Sequence, residues 1–169
     1  MESKQLLSDD PAILKKHFVH HLNRVYYGKR YLYSNLPKLI DRSSFKRLQQ
    51  GIKEVWEDVG RQIERIEKIY ELIKAEPDKE NCVPIIAVFE DAFDPQDYHT
   101  EDCMLNDIDT ILYLQLLEHV NITSYRMLKM LAKRLDHTEV QQLLQECYDE
   151  SKEDDHLFQM ITDEYVGRS

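Results

Sequence analysis

The stretch FVHHLNRVYYGKRYLYSNLPKLI, residues 18–40, decides the fold. Its apolar positions recur at helical spacing: Phe18, Leu22, Val25, then Lys29, then Leu32, Leu36 and Leu39. Steps close to three and four residues place them on one side of a helix, the side that a bundle turns toward its core. Lys29 sits where that stripe asks for an apolar residue. A lysine there needs a carboxylate partner, a pocket of water, or a long reach to the surface.

Outside this stretch the chain keeps the same character. Its 169 residues suit one domain with enough chain to bury a core. With 42% hydrophobic residues, 32% charged residues and only four glycines, the profile is that of a soluble helical protein. The net charge of −10 argues against phosphate backbones and anionic lipid as general partners, so neither nucleic acid nor a membrane is expected. Cys82, Cys103 and Cys147 have no CxxC or zinc spacing and read as reduced thiols of a cytoplasmic protein. Met1 to Asp10 has no apolar signal core, and the longest apolar runs are too short to span a bilayer.

Taken in order, Asp9-Asp10-Pro11 is a helix start, and the first helix is expected over about 11–41, kinked or ended near Pro37. A second helix covers about 45–75 on the stripe Phe45, Leu48, Ile52, Val55, Val59, Gln62, Ile66, Ile69, Ile73, with Asp58 bordering it, and stops at Glu76-Pro77-Asp78. The periodicity then breaks over 77–102, where Cys82 to Phe93 suits one short helix. A crossover of that length can travel the full bundle, so the flanking helices can run parallel. The third long helix, about 103–135, carries Ile111, Leu114, Glu118, Ile122, Tyr125, Leu128, Ala132 and Leu135, with Asn121 one turn beyond Glu118. Thr138 with Gln141 fits a capping box for a fourth helix, about 139–165, with the stripe Val140, Leu143, Cys147, Glu150, Asp154, Leu157, Ile161.

Each long helix therefore carries a polar intrusion near its middle: Lys29; Asp58 with Gln62; Glu118 with Asn121; Glu150 with Asp154. The histidines His17, His20 and His21 have metal-ligand spacing but no acidic partner, and read as a solvated face. No phosphate loop, nucleophile elbow, zinc-protease motif or basic aromatic patch is present.

Tyr26-Tyr27-Gly28-Lys29-Arg30 followed by Leu36-Pro37-Lys38, then Gln62-Ile-Glu-Arg-Ile-Glu67, Leu117-Glu118-His119 with Tyr125, and Glu146 to Lys152 together resemble the YciF/YciE-like family, a bacterial branch of the ferritin-like superfamily. The resemblance spans about residues 13–161. It implies an all-α, ferritin-like four-helix bundle whose long crossover between the second and third long helices carries a short extra helix. It also implies a carboxylate-rich site in the bundle core similar to di-iron or di-manganese proteins, a homodimer, and an association with stress.

Against that pattern, Gly28-Lys29 stands where the family has Ala-Glu. Asp58 keeps an acid, but Val59 replaces a threonine. Asn121 replaces a glutamate after Glu118-His119, and Ser151 replaces the second glutamate beside Glu150. Hard cations need anionic oxygen ligands, and half of that set is missing. Buried carboxylates repel unless a cation is present or they take up protons. The expectation is therefore a degenerate site: Asp58, Glu118 and Glu150 are its remaining metal-ligand candidates, and Lys29 pairs with them in place of metal, with no cofactor. Removing one member of such a set is expected to cost about 3–5 kcal/mol. The alternatives are a partial site that still holds iron or manganese and acts as an oxidoreductase or metal-binding protein, and an adaptor that recruits a partner through the acidic segment Glu90 to Asp102.

Overall fold

A computed structural model describes residues 10–79, 83–92 and 103–167. Among the described residues there are six helices and no strand: α1 (Pro11–Asn35), α2 (Pro37–Ile40), α3 (Lys46–Ile73), α4 (Val83–Ala92), α5 (Cys103–Arg134) and α6 (Thr138–Val166). Most of the acidic crossover segment lies outside the described residues.

The helix ends follow local chemistry. The Asp10 carboxylate accepts from the Ala12 N–H at 2.9 Å, and Pro11 opens the first turn, where its missing N–H goes unused. At Pro37 the missing N–H interrupts the ladder and separates α2 from α1, although Leu36 keeps helical dihedrals. The Tyr33 carbonyl that Pro37 leaves unserved accepts from the Trp56 indole N–H at 3.0 Å, and the two rings stack at 5.1 Å. The helix that follows stops at Lys74 rather than at Pro77. Lys74 adopts φ 51°, and the Ala75 N–H bonds back to the Tyr70 carbonyl at 3.0 Å, a left-handed C-cap. At the start of α6 the cap is His137, whose Nδ1 accepts from the Val140 N–H at 3.4 Å; Thr138 is already inside the helix.

The four long helices form a square. α1 packs against α3 and α5, and α6 packs against the same two, so α1 and α6 lie on one diagonal and α3 and α5 on the other. The polar clasp at one end gives the directions. Asp107, near the start of α5, is fully buried and accepts from Ser43 Oγ at 2.7 Å, Ser44 Oγ at 2.6 Å, the Ser44 N–H at 3.2 Å and Tyr165 Oη at 3.2 Å. The starts of α3 and α5 and the end of α6 therefore meet, and α3 and α5 run parallel. That is the consequence of a long crossover, since a tight loop joins only antiparallel neighbours.

The core is two apolar clusters. One contains Leu32, Leu36, Leu39, Ile52, Val55, Val59, Leu114, Leu117 and Phe158; the other contains Phe18, Leu22, Val25, Ile66, Ile69, Tyr125, Leu128, Leu144 and Cys147. Between them lie the buried polar side chains of Lys29, Gln62, Glu118, Asn121, Ser151 and Asp154. All seven positions of the opening stripe, Phe18 to Leu39, are buried. In α6 the buried side is rotated from the expected one: Leu144 and Ser151 face inward, whereas Leu143 and Glu150 sit at its edge. Ile122 in α5 is likewise at the edge, with Asn121 inside. One residue is a rotation of about 100°, so a heptad fitted through a few apolar residues drifts off the true face.

The Asp107 clasp makes a direct prediction. Asp107→Ala removes the shared acceptor of two serine hydroxyls, a backbone N–H and a tyrosine hydroxyl and should lower unfolding stability by about 3 kcal/mol in a urea titration. A loss below about 1 kcal/mol would show that the clasp is replaceable by water.

Candidate functional site

The candidate site is the polar layer between the two clusters, and every long helix contributes to it. From α1 comes Lys29, which is 0% exposed. Its stripe position carries it inward as firmly as the leucines on either side. Its Nζ has no hydrogen-bond partner among the described residues, and it lies 5.6 Å from the centre of the Tyr125 ring. A cation over a desolvated aromatic face gains about 2 kcal/mol, far less than the hydration it gives up. Its compensation therefore comes from the carboxylates around it.

Those carboxylates are divided between partners. Glu150, from α6, is held by Arg65 through two parallel bonds, Nη1 to Oε2 at 2.7 Å and Nη2 to Oε1 at 3.1 Å, with Arg61 Nε 3.4 Å away. Such a fork is the strongest geometry a guanidinium and a carboxylate make. Arg65 also donates to Glu146 at 3.1 Å, one helical turn earlier. Asp58 pairs with Arg61 on its own helix. Glu118 is 2% exposed; its Oε1 accepts from Asn121 Nδ2 at 3.2 Å, and its Oε2 has no partner among the described residues. Asp154 is equally buried, and its Oδ2 has no hydrogen-bond partner among the described residues. At the rim, Asp155 faces His119 at 3.5 Å and accepts from Gln159 at 2.8 Å. Gln62 Oε1 accepts from Tyr125 Oη at 3.0 Å and so ties α3 to α5 across the layer.

The electrostatics follow from burial. Asp154 is pushed up to about 8, first by desolvation and then by the neighbouring Glu118 charge, with Lys29 pulling the other way. Burial pushes the Cys147 thiol up to about 11, and the Tyr125 phenol is raised as well, burial being the largest cause. The raised Asp154 favours its protonated form, while Asp58 and Glu150 are paired with Arg61 and Arg65.

The structure thus brings Lys29, Glu118 and Asp154 into one buried neighbourhood, while Asp58 and Glu150 are turned to the arginines of α3. None of the three carboxylate candidates is hydrogen-bonded to Lys29. A di-metal centre needs carboxylate oxygens free to converge; here Glu150 spends both oxygens on Arg65, and an ammonium stands beside Asp154 and Glu118. The residues present do not fit a two-metal site. Among the described residues, no three His, Cys, Asp or Glu side chains are grouped to hold an ion.

Arg61 and Arg65 are the members that sequence reasoning missed. They lie off the apolar stripe of α3, so periodicity assigns them to solvent. A legible signal existed in their i,i+4 spacing, which matches that of Glu146 and Glu150, the spacing by which two facing helices make a charge ladder.

Three comparisons bear on the arrangement. A family model described as a domain of unknown function, DUF892, matches residues 13–169. Protein YciF of Escherichia coli (strain K12) is 30% identical over 139 residues, which cover 82% of this chain and 83% of that protein. The crystal structure of the E. coli stress protein YciF superposes with a TM-score of 0.86 at 27% identity, covering 92% of this chain and 98% of that one. YcfI from Rhodopseudomonas palustris shares the fold, with a TM-score of 0.81 at 23% identity over 94% of this chain and 98% of its own.

The raised Asp154 acid predicts a pH signature. The folded chain holds a proton on Asp154 up to about pH 8, whereas the unfolded chain releases it near 3.8. Native protein therefore binds more protons than unfolded protein across that window, and this residue's share of stability is full below it and lost as pH rises through it. Asp154→Asn mimics the protonated form, so its stability should match wild type near the acid end and exceed it near the alkaline end. Parallel pH profiles in chemical denaturation would show that Asp154 is ionised in the fold.

Proposed function

The chain belongs to the DUF892 family, and from that premise we propose that it is a non-catalytic, stress-associated member whose core carboxylates are neutralised by its own side chains rather than by metal. The observation that carries the reading is the placement of Lys29, fully buried in the polar layer between the apolar clusters. A fixed ammonium supplies positive charge without an open coordination position, and it neither coordinates an oxygen as a metal does nor cycles between oxidation states. Arg61 and Arg65 extend the same logic to Asp58 and Glu150. Metal-site candidates Asp58, Glu118 and Glu150 become structural ionic groups in this reading. The stress association rests on the E. coli relative, which is described as a stress protein. A cytoplasmic location is part of the same proposal; no helix among the described residues is long and apolar enough to cross a membrane.

A second reading has one observation in its favour. Glu118 Oε2, Asn121 Oδ1 and Asp154 Oδ2 are all buried oxygens without a partner among the described residues. Such oxygens suit one hard cation, iron(II) or manganese(II), as well as they suit buried water.

Elemental analysis separates the two. Protein purified from cells supplied with iron and manganese should carry far less than one ion per chain, and Lys29→Glu should raise that content. A near-stoichiometric metal in the wild-type protein would overturn the proposal. Heat stabilisation by Fe(II) or Mn(II) that Glu118→Ala abolishes would establish the second reading instead.

A further inference from the structure

A recess of about 180 Å³ lies where α1, α4 and α5 meet, outside the polar layer of the core. Its walls follow from helical spacing. On α1, His21 is followed three and four residues on by Arg24 and Val25; on α5, Val120 is followed by Ser124 and Met127 at the same kind of interval. Between these two faces α4 contributes Ile85. Val25 and Ile85 are each only 5% exposed and make an apolar floor, while Met127 stands exposed at the rim. An apolar recess with a few converging polar groups is the form that small-molecule sites take.

The polar groups here are of one sign. The chain carries a net charge of −10, yet no carboxylate is among the described residues that line the recess. Arg24 is half-buried there, and among the described residues its guanidinium has no hydrogen-bond or ion-pair partner. His21 is held below the ordinary histidine range, first by burial and then by His20, Arg24 and His17 on its own helix, which is the mark of an uncompensated positive field. A neutral imidazole still has one N–H to donate. Ser124 spends its hydroxyl proton on the Val120 carbonyl at 2.8 Å, so it offers lone pairs and no donor. The recess therefore supplies one fixed cation with a planar fork of donors, one further donor, and an apolar floor. A carboxylate meets such a fork with two parallel bonds. A phosphate dianion would bring a second negative charge, for which no second fixed cation lines the walls.

We propose that this recess binds a small monocarboxylate with a compact apolar body, the carboxylate on Arg24 and the body against Val25, Ile85 and Val120. Size sets the class further. A cavity of about 150 Å³ takes one benzene ring, so the room here suits a single ring or a short branched chain rather than a long acyl chain. The site shares no residue with the buried layer of Lys29, Glu118 and Asp154. Metal content and acid binding therefore give separate answers, and either reading can fail while the other stands.

Benzoate titrated into the full chain, followed by calorimetry and by amide NMR shifts, tests it. Saturable binding is expected, with the shifts concentrated around His21 to Val25, Ile85 and Val120 to Met127. Benzyl alcohol (the ring without the charge), acetate (the charge without the ring) and inorganic phosphate should each bind at least about tenfold more weakly. Arg24→Gln should weaken benzoate binding at least about tenfold, and Ser124→Phe, which fills the recess, should do so by a separate route. Arg126→Gln, an exposed change on the same helix outside the recess, should leave the affinity unchanged, and circular dichroism should show equal helical content in all three variants. No saturable benzoate binding up to about 20 mM overturns the proposal. So does equal binding of acetate or phosphate, which would leave only a cationic surface, or equal binding of benzyl alcohol, which would leave only an apolar one. Affinity that survives either Arg24→Gln or Ser124→Phe overturns it as well.

Discussion

Charge neutrality in a place water reaches poorly is the constraint on which this bundle rests. Two apolar clusters hold the four long helices together, yet between them the chain buries an ammonium, several carboxylates and three amides or hydroxyls. Each isolated charge there would cost several kcal/mol, so the layer persists only because opposite charges, shared protons and hydrogen bonds compensate one another. The compensation is distributed. Arg65 clamps Glu150, Arg61 pairs with Asp58, Asp154 keeps a proton, and Lys29 is set among what remains.

A four-helix square with parallel α3 and α5 points mid-helix side chains from all four directions at one level. In the proposed reading a buried lysine, with two arginines reaching in from the rim, compensates the carboxylates at that level. The scaffold decides where the chemistry occurs, and a few side chains decide what chemistry it is. α5 is apolar on two sides: its inner side completes the core, and its outer side exposes Ile108, Leu112, Leu116, Met127 and Met130.

Much of the fold was legible because it depends on short-range rules. The stripe from Phe18 to Leu39 was read residue by residue, including the anomalous lysine; the interruption at Pro37 follows from a missing N–H; the unpatterned stretch after Pro77 implied a crossover and hence parallel helices. The misreadings were of rotation and of reach. Leu143 and Leu144 are equally apolar, and only the facing helices decide which points inward. The cap of α6 fell to His137 because its ring nitrogen reaches the Val140 N–H, which no residue preference announces. Arg61 and Arg65 look like surface residues until α6 places Glu146 and Glu150 opposite them.

By itself the sequence determined the helices, the order in which they run, and the presence of one charged residue at the centre of an apolar face, because periodicity and proline act along the chain. Only the tertiary structure decided which carboxylate answers which cation. That choice depends on distances of a few ångströms between residues 85 positions apart in the chain, as in Arg65 and Glu150, and an ionic bond partly shielded from water is settled by such distances rather than by composition.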